Sequence, residues 1–244
     1  MVAANAQDLI RFVDAGAGIV ISLHGIQTRG AWQKQVNSEL QRNGFRHEMF
    51  DYGFFWAAQL LVPLLRTHKI DEFRKRLDEL FLEDKVAPSV VAHSFGTYIV
   101  AGALEKYAEL RFDRIIFCGS IVRRDYDWNS LIEAGRVGAV LNEWGGRDIW
   151  PKLAQWAVVD AGPSGALGFQ SSCRGFFQRY RPKFGHSDYF YPVNYRQNWI
   201  PFLNGVDPPD DPVERKEQRN WRFWGSVFFA LVALLAAYSL LRWR

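Results

Sequence analysis

Apolar residues in the first two hundred positions fall into short β-branched blocks, separated by stretches in which they recur at helical spacing. Ile19-Val20-Ile21-Ser22-Leu23 reads as a central strand that opens into His24-Gly25. Trp32 to Gln41 has helical character and stops at Asn43-Gly44, a good C-cap pair, and Arg46 to Tyr52 reads as the next strand. Asp71 to Phe81 is amphipathic, with Phe73, Leu77, Leu80 and Phe81 on one face. Ser89 to Ala92 ends a further buried strand, Thr97 to Ala108 follows at helical spacing, and Arg114 to Gly119, Val137 to Asn142 and Phe176 to Phe184 supply later strands. Strands that alternate with helices about 25 to 45 residues apart predict an α/β fold, a mostly parallel sheet with helices on both faces.

Three segments stand apart from this alternation. Phe54 to Leu65 is unusually apolar; as core, or as a helix on the sheet, it needs no further role, and as an exposed segment it becomes a lid or lipid-facing surface. Gly162 to Gly168 is rich in glycine but lacks the lysine and strand context of a phosphate loop, and is expected to be a mobile surface loop. Phe223 to Leu241 carries no charge over 19 residues. As a helix it covers about 28 Å, close to the hydrocarbon thickness of a bilayer, about 30 Å. Trp221, Trp224, Tyr238 and Trp243 flank it as interface anchors. The chain therefore divides into a domain over 1–205, a polar linker rich in proline and charge over 206–222 and a single transmembrane helix over 223–241. Arg215, Lys216, Arg219 and Arg222 before the span outnumber Arg242 and Arg244 after it, which places the large domain on the cytoplasmic side.

Composition narrows this picture. The chain has 244 residues, room for one sizeable domain, and a net charge of +4 with its basic residues scattered, so nucleic acid is not an expected partner. Cys118 and Cys173 have no metal-ligand spacing, and no H-E-x-x-H, P-loop or dinucleotide fingerprint occurs, so neither a metal nor a cofactor is expected. Met1 to Val13 lacks a basic segment followed by an apolar core, so no secretory signal is expected.

The chemistry centres on Ala92-His93-Ser94-Phe95-Gly96, where a strand gives way to a helix. A serine on such a sharp turn projects its hydroxyl above the sheet, and the small residues Ala92 and Gly96 let strand and helix cross closely. Ala92 departs from G-x-S-x-G by one methyl group. A serine hydroxyl needs an imidazole to take its proton and a carboxylate to orient that imidazole. Asp148 follows the Val137 strand in a glycine-containing loop, and His186 follows the last strand. With Leu23-His24-Gly25-Ile26 early in the chain and Ser94, Asp148 and His186 in that order, the sequence from about Ile19 to Leu203 resembles the α/β-hydrolase superfamily, of the serine esterase and lipase kind. The resemblance implies an oxyanion hole from the backbone N–H groups of Ile26 and Phe95.

Each assignment has a competitor. His93 is expected to point to the packing side, His24 to hydrogen-bond the loop beside it, and His47 and His68 to be surface or helix-end residues. Asp125, Asp127 and Asp160 are alternative acids, while Asp188 is too near His186 to orient it. The expected function is that of a membrane-anchored serine hydrolase acting on a lipid or other hydrophobic acyl ester. A thioesterase or amidase with the same residues, and a non-catalytic or signalling membrane protein that keeps the fold as a binding module, are the alternatives.

Overall fold

The computed structural model describes residues 18–25, 31–53, 59–84 and 87–209. Six strands, β1 (Ile19–Leu23), β2 (Arg46–Phe50), β3 (Ser89–His93), β4 (Phe112–Cys118), β5 (Val137–Gly145) and β6 (Phe176–Arg181), form a parallel sheet in the order β2-β1-β3-β4-β5-β6. Parallel neighbours need crossovers, and helices supply them. The crossovers carry α1 (Ala31–Arg42), α2 (Pro63–Asp84), α3 (Phe95–Lys106), α4 (Trp128–Glu133), and the pair α5 (Trp150–Ala157) and α6 (Ser164–Leu167). After β6 comes a helical run from Pro192 to Leu203 that contains a π turn over Tyr195–Trp199. The strand order reverses between β1 and β3. Loops leaving the carboxyl ends of strands at such a point open a crevice, and ligands bind there.

The period-two alternation of the strands sorts side chains into two cores. Ile19, Ile21, Leu23, Val90, Ala92, Ile115 and Phe117 face Phe73, Leu77, Phe95 and Ile99 of α2 and α3. Val20, Val91, Ile116, Cys118 and Leu141 face Trp32, Val36 and Leu40 of α1, with Tyr195, Trp199 and Phe202 from the last helical run. Both faces of the sheet are covered, as the near-continuous apolar runs require.

Several elements differ from the sequence reading. α2 is longer than expected because Pro63 starts it, a position where the missing N–H costs nothing. Leu60 is buried in the core and Leu65 packs against it from α2, while Leu61, Val62 and Leu64 between them are exposed, so the described part of the apolar run is only partly core; Phe54 to Ala58 lie outside the described residues. The glycine-rich segment is not a mobile surface loop. Its Ser164, Gly165 and Ala166 are buried in α6, and Gly165 N–H donates to Ser120 O at 2.7 Å. A Cβ on Gly165 would lie 2.1 Å from Ser120 N, so the glycine there is a packing requirement.

His47, on the edge strand β2, is half-buried and is held at both ring nitrogens. Its Nδ1 lies 2.9 Å from Asn37 Oδ1 and its Nε2 lies 2.8 Å from Ser22 Oγ. Asn37 Oδ1 can only accept, which puts the proton of the neutral ring on Nδ1 and leaves Nε2 to accept from the Ser22 hydroxyl, to which Gln33 Nε2 also donates. Burial pushes the His47 imidazole down to about 4, with the nearby Glu48 opposing it. Because the folded value is below the unfolded one, this contribution is fully present above about pH 6.5 and is lost as pH falls toward 4, up to about 3 kcal/mol. In urea titrations, His47→Gln is expected to be less stable than the parent protein at pH 7.5, with the gap closing as pH falls to about 4.5. A gap of constant size across that window would contradict the assignment.

Candidate active site

Ser94 follows β3 directly and precedes the first residue of α3. Its backbone has φ 53° and ψ −119°, a positive φ outside the ordinary region for a residue with a side chain, as a sharp strand-to-helix turn demands. The turn is fastened at both ends. Ser94 N–H donates to Cys118 O at 3.2 Å, and Ser94 O accepts from Thr97 N–H at 3.0 Å and from Thr97 Oγ1 at 2.6 Å. A Cβ on Gly96 would lie 2.8 Å from Leu23 O and 2.9 Å from His24 O, and one on Gly25 would lie 3.3 Å from Ser94 Oγ. Only glycine fits where α3 crosses the end of β1 and where the His24-Gly25 loop passes the serine. Phe95 opens α3, at the electropositive end of a 12-residue helix. Ile26 lies outside the described residues.

Asp148 leaves the end of β5 through Gly146 and is fully buried. A buried carboxylate is tolerated only when hydrogen-bonded. Asp148 Oδ1 accepts from Trp150 N–H at 3.1 Å, and Oδ1 and Oδ2 lie 3.0 and 2.9 Å from His186 Nδ1. This pairing places the imidazole proton on Nδ1 and leaves Nε2 as a base. The loop of His186 is turned by Asp188 Oδ2, which accepts from Gly185 N–H at 2.7 Å. His186 rests on Gly119, at φ 55°, where a Cβ would lie 3.0 Å from His186 Nδ1 and 3.2 Å from Asp148 Oδ2. Trp150, half exposed, stands with its indole 6.3 Å from the His186 ring.

The structure thus brings Asp148 and His186 into direct contact over the end of β4, the strand next to β3, which Ser94 follows. Ser94 and His186 are not hydrogen-bonded to each other. The alternative acids sit elsewhere. Asp125 is exposed and pairs with Arg123, Asp127 caps α4 through Ser130 N–H at 3.0 Å, and Asp160 is exposed with φ 74°. His68 pairs with Glu72 on the surface of α2. His24 is buried, stacked on Tyr52 with ring centroids 4.3 Å apart, and its Nδ1 lies 2.6 Å from Gly25 O. Among the described residues, no group of three or more His, Cys, Asp or Glu is placed to hold a metal ion, and no helix is long and apolar enough to cross a membrane; Phe223 to Leu241 lies outside them.

No protein-family model matches the sequence, and no curated protein matches it. Solved structures do match in three dimensions. A monoacylglycerol lipase from Paleococcus ferrophilus superposes with a TM-score of 0.53 at 12% identity, over 79% of this chain and 97% of the other. The fold is the α/β-hydrolase fold. A predicted CIB-like hydrolase from Thermoplasma acidophilum matches with a TM-score of 0.53 at 14% identity, over 79% of this chain and 89% of the other. A cold-adapted esterase from an Arctic intertidal metagenomic library matches with a TM-score of 0.52 at 15% identity, over 80% and 84%.

Two features of this α/β-hydrolase fold escaped the sequence reading. His93 does face the packing side, but its Nε2 donates to His186 O at 2.8 Å. Glu143, at an inward-facing position of β5, is fully buried and accepts from Arg181 Nη2 at 2.7 Å, Asn194 Nδ2 at 2.9 Å and Trp199 Nε1 at 2.8 Å. Asn194 Nδ2 also donates to Tyr189 O at 3.0 Å, so the carboxylate clamps the segment that follows His186. A charge inside an apolar strand run was the available signal. Removing one partner from such a cluster strands the rest, so Glu143→Ala is expected to cost about 3 to 5 kcal/mol in chemical denaturation. A loss below about 1 kcal/mol would show that the clamp is not structural.

Proposed function

We propose that this protein is a serine hydrolase that cleaves an ester by acyl transfer to Ser94, with His186 as base and then acid and Asp148 orienting it. The observation that carries the reading is the fixed His186 imidazole, held through Nδ1 by a fully buried Asp148 carboxylate at the carboxyl edge where the strained Ser94 turn ends β3. In the proposed reaction His186 Nε2 takes the Ser94 proton as Oγ attacks the ester carbonyl carbon. The tetrahedral oxyanion is received by the backbone N–H groups of Phe95 and Ile26. His186 then gives the proton to the departing alcohol, and a water activated by the same imidazole releases the acid. The missing Ser94–His186 hydrogen bond is compatible with this, since such bonds often form only when substrate is bound.

The substrate we propose is a hydrophobic acyl ester or a lipid. Exposed Ile149 and Trp150 follow Asp148 directly, which supports an apolar substrate surface next to the site. The uncharged sequence from Phe223 to Leu241 supports a single transmembrane helix that holds the domain over 1–205 at a bilayer through the linker over 206–222, on the cytoplasmic side.

Ser94→Ala is expected to lower hydrolysis of acyl esters by at least about 10³-fold and to abolish labelling by a fluorophosphonate probe that marks the parent protein. Equal hydrolysis by the two proteins would exclude the mechanism, and an unlabelled parent protein would favour the binding-module alternative. Deleting residues 223–244 is expected to move the protein from the membrane fraction to the soluble fraction while its probe labelling persists; retention in the membrane would refute the anchor.

A further inference from the structure

We infer that His93 is a positioning residue, which ties the loop carrying His186 to the strand carrying Ser94 and so sets the imidazole beside the serine. The inference rests on the proposed roles of Ser94 and His186. The geometry makes a tie necessary. Ser94 ends β3, whereas His186 follows β6, and β4 and β5 lie between those strands in the sheet. The His186 loop must therefore reach back across two strand ends. Asp148 holds it at the end of β5 and Gly119 supports it at the end of β4. At the end of β3 the contact is His93, whose Nε2–H donates to the carbonyl of His186 itself at 2.8 Å. Its ring lies 4.6 Å from the His186 ring and meets Phe190 edge-on at 5.0 Å.

An ordinary packing residue would not be built this way. Among the described residues His93 Nδ1 is buried without a hydrogen-bond partner, a cost that an apolar side chain of similar size avoids. The bond from Nε2 is what offsets it. Burial, and next the neighbouring His186, hold the His93 imidazole well below its usual range, so it stays neutral with its proton on Nε2. It therefore keeps donating to the His186 carbonyl and does not compete for the proton that the proposed reaction passes to His186.

The test compares His93→Gln, whose amide reaches as far as Nε2 and keeps the donor, with His93→Met, of similar length but without one, in the full chain in detergent. His93→Met is expected to lower kcat by about 10- to 10²-fold with KM nearly unchanged, because a small misplacement of a reacting group costs that much. His93→Gln is expected to stay within about threefold of the parent. The low-field proton resonance of His186 Nδ1–H should be retained in His93→Gln and be broadened or lost in His93→Met. If His93→Met does not fold, His93→Asn, whose amide is too short to reach the carbonyl, takes its place. Equal kcat and an equal resonance in the donor and non-donor variants would overturn the inference. Hydrolysis that survives Ser94→Ala would instead overturn the reading of the site, and the resonance would still decide whether His93 holds His186.

Discussion

A methyl group on Gly96 would lie 2.8 Å from Leu23 O and 2.9 Å from His24 O, so α3 can begin where it does only because the chain has no side chain there. That crossing fixes the rest of the carboxyl edge. It brings the first turn of α3 against the end of β1 and forces Ser94 into a positive φ. It also leaves the Gly25 loop so close to the serine that a Cβ there would sit 2.9 Å from Ser94 Cβ. The strain of such a turn, of order 1 to 3 kcal/mol, is sustained by the bonds around it, from Ser94 N–H to Cys118 O and from Thr97 to Ser94 O. The Ala92 methyl group, which departs from the commonest form of the motif, points to the α3 side, where it is fully buried beside Leu23 and Phe117. The departure therefore falls on a position that tolerates one carbon, and the one that does not, Gly96, is kept.

How much of this was legible in the sequence follows from which interactions are local. The strands announce themselves because a parallel sheet buried on both faces requires continuous apolar runs, and β1, β3 and β4 have them. The strand-turn-helix at Ser94 is local too. Asp148 and His186 could be nominated only by their place after strands, since the contact between them spans 38 residues. The choice of Asp148 over Asp127 becomes physical only in three dimensions, where one carboxylate meets an imidazole and the other caps a helix. His93, His47 and Glu143 were underread for one reason. Each is a polar side chain whose partners come from distant segments, and no periodicity records such a pairing. The short helices after β5 and β6 were missed because they are amphipathic over too few residues to show a period.

The glycine-rich segment shows how a wrong expectation can carry structural meaning. In sequence it looks like a surface loop, but in the fold its Ser164 begins a chain of hydroxyl groups that runs under the Ser94 turn. Ser164 Oγ donates to Ser120 Oγ at 2.9 Å, Ser120 Oγ donates to Thr97 Oγ1 at 3.3 Å, and Thr97 Oγ1 donates to Ser94 O at 2.6 Å. The donors point one way, and bonds aligned like this polarise one another in a low-dielectric interior. Thr97 Oγ1 and Ser120 Oγ also accept from Ile121 N–H and Val122 N–H, so the same hydroxyls satisfy the backbone just after β4. The glycines follow from this. Gly165 must let α6 approach Ser120 closely enough for its N–H to reach Ser120 O, and a side chain there would break that contact and withdraw Ser164 from the chain. The segment therefore acts as a floor beneath the proposed nucleophile, and its glycine content reflects close backbone packing, not mobility.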